Sequence, residues 1–228
     1  MLDSIVLFAY PLSLIFLYLG ILVAIAEILH RFLKIDTELT RKIVHIGSGH
    51  SLLFAWLFHI PLNICLWASI VAGIIALMSY FLPILPSIHS VGRQSLGTFC
   101  YAISIGVLTG WFWQIDQPQY AVIGILIMAW GDGMAGVIGT QYGKNFYYVI
   151  GNKKSWEGSL TMMVMSFLVT SIMLLITVGL TGQILLIALI VALLATALES
   201  YSKLGIDNLT VPVGSAAICF YLSHWLLS

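Results

Sequence analysis

Asp132 stands one residue beyond "VIGILIMAW", nine residues without a charge, at the second position of the glycine-rich stretch "GDGMAGVIGTQYGK" at 131 to 144. A carboxylate buried that deep in a membrane helix costs about 2.5 to 3.5 kcal/mol on insertion scales, so something must compensate it. One compensation is purely structural, an ion pair or hydrogen bond to a neighbouring helix. The other, which the rest of the chain favours, is a water-filled cavity where the acid binds a metal or a substrate hydroxyl. Gly131, Gly133 and Gly136 also satisfy GxGxxG, but a dinucleotide fingerprint needs a preceding strand, and here a membrane helix precedes it. Gly136, Gly139 and Gly143 read instead as a small-residue face for close helix approach.

Three further blocks hold polar residues of complementary chemistry. "GNKKSWEGS" at 151 to 159 supplies Lys153 and Lys154, point charges suited to phosphate, with Ser155 and Glu157 placed to cap the next helix. "ELTRKIVHIGSGH" at 38 to 50 supplies Arg41, Lys42 and His45, of which Arg41 and His45 share a helix face. "ALESYSKLGIDNLTVP" at 197 to 212 supplies Glu199, Asp207 and Asn208, oxygen ligands of the kind a hard cation prefers, with Pro212 expected to help start the last helix. Each block has a plainer alternative: lysines beside a membrane helix signal topology, Arg41 and Lys42 can anchor to lipid headgroups, and 199 to 208 can be a polar turn. Arg93 in "GRQSLGT" adds one more cation, whereas His50, His59, His89 and His224 show no ligand spacing.

Acids, cations and glycines gathered at one membrane surface are what phosphoryl transfer from a nucleotide requires. Mg²⁺ bridges phosphates, cations offset developing charge, and an acid positions the attacking hydroxyl. On this reading Asp132, Glu199, Asp207 and Asn208 hold metal. Arg41, Lys42, His45, Lys144, Lys153 and Ser155 bind nucleotide or phosphate. An isoprenoid or glyceride alcohol would lie in the bilayer with its hydroxyl at headgroup depth, within reach of a nucleotide arriving from the water.

The elements that must position these residues follow from composition. Of the 228 residues, 61% are hydrophobic and 8% charged, against roughly 25% charged in soluble domains. The chain is therefore expected to be an all-α polytopic bundle, a single integral-membrane domain over 1 to 228. Eight segments are long enough to span a bilayer: about 4 to 30, 42 to 59, 61 to 82, 95 to 113, 118 to 140, 158 to 179, 182 to 202 and 210 to 227. The first lacks a basic leader and reads as a retained span. Cys65, Cys100 and Cys219 are isolated and read as core residues. Net charge is zero, so no electrostatic attraction to nucleic acid is implied.

With eight spans, all nine Lys and Arg fall in alternate connections on one side. The positive-inside rule then puts both termini outside and the cation-rich connections in the cytoplasm or its organellar equivalent. Most acids follow the cations; only Asp3 and Asp116 fall on the other side. That asymmetry disfavours a transporter, whose path would need polar groups on both sides.

The blocks "RKIVH" from Arg41 to His45, "GDGMAGVIG" with Lys144 beyond it, "KKSWEGS" from Lys153 and "ES" with "GIDNLTVP" from Glu199, in this order over most of the chain, resemble the phytol kinase and dolichol kinase family of CTP-dependent polyprenol kinases. The short eight-span form is most similar to the cyanobacterial and plastid members. The resemblance implies CTP as phosphoryl donor with Mg²⁺, phytol or another isoprenoid alcohol as acceptor, and a place in tocopherol synthesis at a bacterial inner or thylakoid membrane. It also implies Asp132, Lys154, Glu157, Glu199 and Asp207 as the active-site set. Dolichol, farnesol and diacylglycerol are the other acceptors considered. The related phosphatidate cytidylyltransferases end in a "DRxDS"-type signature that is missing here, which argues for a kinase.

Overall fold

The computed structural model describes residues 2–81 and 96–227, with side chains from 8–78 and 96–227; Arg93 and His89 lie outside the described residues. Each expected span is helical over most of its described residues. In chain order they are α1 (Leu2–Arg31), α2 (Thr37–Leu57), α3 (Leu62–Phe81), α4 (Gly97–Phe112), then α5 (Pro118–Leu126) continuing through a π turn (Ile127–Asp132) into α6 (Gly133–Gln141), and finally α7 (Trp156–Val178), α8 (Gly182–Tyr201) and α9 (Asp207–Leu227). Among the described residues, five stretches are long and apolar enough to cross a membrane: Phe8–Arg31, Pro118–Gln141, Trp156–Val178, Gly182–Tyr201 and Asp207–Leu227. Leu62–Met78 and Gly97–Phe112 are apolar but shorter, and α2 carries Glu38, Arg41 and Lys42 in its first turns.

Two details depart from the sequence reading. The chain is not wholly α-helical, because after α6 Phe146–Val149 (β1) and Asn152–Ser155 (β2) pair as an antiparallel hairpin; the fold is a helical bundle with one small sheet. Pro212 does not begin the last helix. It sits inside α9, which starts at Asp207, and its missing N–H leaves the Asn208 carbonyl without the usual donor one turn on.

The bundle is built around Pro118–Gln141. Ala121, Val122, Ile123, Ile125, Ile127 and Met128 are fully buried, as expected of a helix apolar on every side. Gly124 lets α9 come close, since a Cβ there would stand 2.3 Å from the Pro212 carbonyl oxygen. α2 packs against α5 and α6, α9 against α4 and α5, and α7, α8 and α9 follow one another. α1 is peripheral, tied to α2 by the Tyr18 hydroxyl donating to the Gly47 carbonyl at 2.9 Å. Its apolar residues, Phe16, Leu17 and Ile21 among them, face outward. In a membrane protein that is the surface the lipid covers.

Candidate active site

Asp132 is the last residue of the π turn. Winding one extra residue into a helix widens the turn and interrupts the regular hydrogen-bond ladder, and such turns are frequent at functional sites. Here the turn faces α2. The Lys42 ammonium donates to Asp132 Oδ2 at 2.7 Å and to the Asp132 backbone carbonyl at 3.2 Å. His45, one turn further along α2, brings Nε2 to 3.6 Å from the same Oδ2 and to 3.3 Å from the Met128 carbonyl. Two glycines make room for this approach. A Cβ at Gly133 would strike Ile46, and one at Gly136 would stand 2.6 Å from the ε-carbon of Lys42.

The second charged pair comes from the hairpin. Residues along a strand alternate between faces, and the register sets Phe146 opposite Ser155 and Tyr147 opposite Lys154. The face carrying Tyr147, Asn152 and Lys154 turns to the end of α8. Lys154 pairs with the buried Glu199 carboxylate, the Tyr147 hydroxyl meets Ser200 at 3.1 Å, and Asn152 Nδ2 donates to the Ser202 carbonyl at 2.9 Å. Lys153 lies on the opposite face, its ammonium 3.7 Å from the Phe146 ring centroid. Ser155 is the N-cap of α7, its hydroxyl oxygen accepting from the Gly158 N–H at 3.1 Å. Glu157 accepts from the Asn145 backbone N–H at 3.2 Å and side-chain amide at 2.9 Å, which ties the hairpin's entry to the start of α7.

The two pairs belong to one electrostatic cluster. Asp132 lies within electrostatic range of Lys42 and Lys154, and Asp207, the first residue of α9, within range of Asp132, Lys154 and Glu199. Five separate elements thus deliver charge to one end of the bundle. On the outer flank of Lys42 a cleft of about 300 Å³ opens between α2 and α6, lined by Asp36, Glu38, Leu39, Lys42, Gly136 and Thr140 among others.

A phytol kinase of Synechocystis sp. is 51% identical to this chain over 92% of it and 90% of its own length. The chain belongs to the phytol kinase family. As a phytol kinase family member it also matches more distant plant proteins. Phytol kinase 1 of the Arabidopsis thaliana chloroplast is 29% identical over 83% of this chain and 67% of its own length. The chloroplast farnesol kinase of the same plant is 28% identical over 82% and 66%. No protein-family model and no solved structure matches the chain.

In this phytol kinase family member, the sequence-derived residues separate into two groups. Asp132, Lys42, His45, Lys154, Glu199 and Asp207 come together. Arg41 does not join them through its guanidinium, which is held by Glu38 at 2.5 and 3.0 Å. Lys144 and Lys153 are exposed, Ser155 and Glu157 serve the start of α7, and Asn208 turns back on Asp207, its backbone N–H 3.0 Å from Oδ1. Tyr101 is the residue that sequence reasoning missed. It is buried, and its ring lies 4.8 Å from that of His45, close enough for its hydroxyl to feel the Asp132 charge. Nothing in "TFCYAISIG" distinguishes it from the other aromatics of an apolar span.

Among the described residues no three His, Cys, Asp or Glu side chains stand close enough to form a cage. Asp132 and Glu199 each face a lysine instead. This fits Mg²⁺ carried in on nucleotide phosphates, which needs only one or two protein carboxylates, and does not fit a dedicated Ca²⁺ or Zn²⁺ site.

Proposed function

We propose that this chain is a membrane-embedded prenol kinase that transfers the γ-phosphoryl group of CTP to phytol or a closely related isoprenoid alcohol. The observation that carries the reading is the convergence of Lys42–Asp132 and Lys154–Glu199, with Asp207, at one end of an apolar bundle. The substrates named for the family relatives supply the acceptor class. Two lysines in a poorly hydrated setting are suited to offset charge spreading over a transferring phosphoryl group. Asp132 is suited to accept the proton of the attacking hydroxyl or to share in binding metal. Asp132 or Asp207 would hold Mg²⁺, which would supply charge neutralisation for the nucleotide phosphates, with Glu199 setting the position of Lys154.

On this proposal the eight helical segments all cross the membrane, both termini lie outside, and the site opens to the cytoplasm or stroma, where the nucleotide is. The acceptor enters from the bilayer with its hydroxyl at the level of Asp132. The product, phytyl phosphate, is the compound that would feed tocopherol synthesis. The deciding experiment uses purified protein in detergent with Mg²⁺ and CTP or ATP labelled at the γ-phosphate. Phytol, farnesol, dolichol and diacylglycerol are offered in turn. Label passing from CTP into phytyl phosphate supports the proposal. Label recovered as pyrophosphate makes the chain a cytidylyl transferase, and no transfer to any prenol overturns the reading.

A further inference from the structure

Two turns at the same end of the molecule have costly backbones and side chains with little of the protein to pack against. In the hairpin turn Ile150 has φ 47° and Gly151 80°; between α8 and α9, Leu204 has φ 56° and Gly205 87°. Glycine occupies this left-handed region freely, but a β-branched or bulky residue meets its own carbonyl there. A two-residue hairpin turn with positive φ at both centres ordinarily carries Asn, Asp or Gly first. Here the first positions hold isoleucine and leucine, 57% and 71% exposed.

The tips are neighbours, because a Cβ at Gly151 would lie 3.8 Å from Nζ of Lys203. Tyr148, on the strand that leads into the first tip, is 72% exposed, and Lys153 and Lys203 are exposed as well. The hairpin joins Pro118–Gln141 to Trp156–Val178, two stretches long and apolar enough to cross a membrane, so it sits where the hydrocarbon ends.

The geometry points to an anionic lipid surface as the partner of this face: Ile150 and Leu204 insert at the boundary between headgroups and acyl chains, and Lys153 and Lys203 meet lipid phosphates. Tyrosine rings such as that of Tyr148 favour that depth, and lysines reach from it to the headgroups. Burial of the two aliphatic side chains in the interface offsets the backbone cost that the protein interior leaves uncompensated. Two protruding tips suit penetration of a fluid layer; a second protein would need a continuous complementary patch. The hairpin's other face is already committed to α8 through Tyr147, Asn152 and Lys154. This inference does not depend on the reaction catalysed.

The test uses the full chain with Cys65, Cys100 and Cys219 replaced by alanine, nitroxide-labelled at Ile150→Cys or Leu204→Cys in liposomes of phosphatidylcholine with phosphatidylglycerol. Both labels are expected to be relaxed severalfold more by oxygen than by a water-soluble nickel chelate. Greater relaxation by the chelate overturns the proposal. Spin–spin broadening that disappears on dilution with unlabelled protein also overturns it, and assigns the face to a second copy. In the same liposomes Ile150→Asn, which suits the turn, should shift the Leu204→Cys label toward water; a label that does not move refutes the joint seating of the two tips.

Discussion

The ammonium of Lys42 lies 2.7 Å from a carboxylate oxygen of Asp132 and reaches it across Gly136, where a methyl group would stand 2.6 Å from the lysine ε-carbon. The pair is nearly closed to solvent, with side-chain exposures of 9% and 15%. Removing one partner of such a pair leaves an uncompensated charge and costs about 3 to 5 kcal/mol. Lys42→Met should therefore lower the thermal midpoint in detergent sharply, and Lys42→Met with Asp132→Asn should recover most of the loss. Neither variant should phosphorylate phytol. A double variant with near-parental turnover would remove the pair from the chemistry.

Gly136 and Gly124 separate crowding of a side chain from crowding of a backbone. An alanine at 136 crowds the flexible end of Lys42 and loosens its pairing with Asp132, a loss that the gain of up to about 1 kcal/mol from replacing a helical glycine offsets only in part. Gly136→Ala is expected to lower the thermal midpoint less than Lys42→Met does and to lose about tenfold in turnover, as misplacement of a charged group at a reacting centre does. Gly124→Ala should act on folding alone. Its methyl meets the Pro212 backbone at 2.3 Å, which cannot move without shifting α9, so the midpoint falls. Thermal unfolding and phosphorylation assays on the two variants check the contrast.

Adjacent lysines on a strand have opposite fates. Lys154 reaches Glu199, while Lys153 lies over the Phe146 ring on the far face. Lys154→Met is expected to lower turnover by about a hundredfold or more, the scale of losing one charge-stabilising donor. Lys153→Met should cost about an order of magnitude less than that, since exposed charges are largely screened. Equal losses from the two substitutions would mean that the hairpin register does not select between them.

What the sequence made visible, and what it hid, follows from the range of each interaction. Asp132, Lys42, Lys154 and Glu199 stand out because ionised groups in an apolar chain need partners, and the helical segments stand out because bilayer thickness sets a length. The hairpin was missed, although "FYYV" has strand-forming residues, because its turn carries Ile150-Gly151 instead of the usual Asn-Gly signal. Without that strand Lys153 and Lys154 look equivalent. The π turn adds no residue type of its own to the run "ILIMAWGD", so nothing in the sequence marks it. Arg41 shares a helix face with His45, yet Glu38, one turn before it, takes its guanidinium. Pro212 was read from its frequent place at helix starts, whereas α9 had already begun at Asp207.

Metal dependence follows from the same geometry. With no three-ligand cage among the described residues, the protein alone should bind Mg²⁺ weakly, and affinity should appear only with nucleotide phosphates present. Chelation with EDTA is expected to abolish phytol phosphorylation, Mg²⁺ or Mn²⁺ to restore it, and Ca²⁺ to restore it poorly, because a larger and more loosely coordinated ion holds the phosphates less well. Calorimetry supplies a readout apart from turnover. CTP binding should be enhanced by Mg²⁺ in the parent, and that enhancement should shrink in Asp207→Asn, which removes a carboxylate within electrostatic range of Asp132 and Lys154. Tight Mg²⁺ binding without nucleotide, or full turnover in EDTA, would contradict the assignment of these carboxylates to a nucleotide-borne metal.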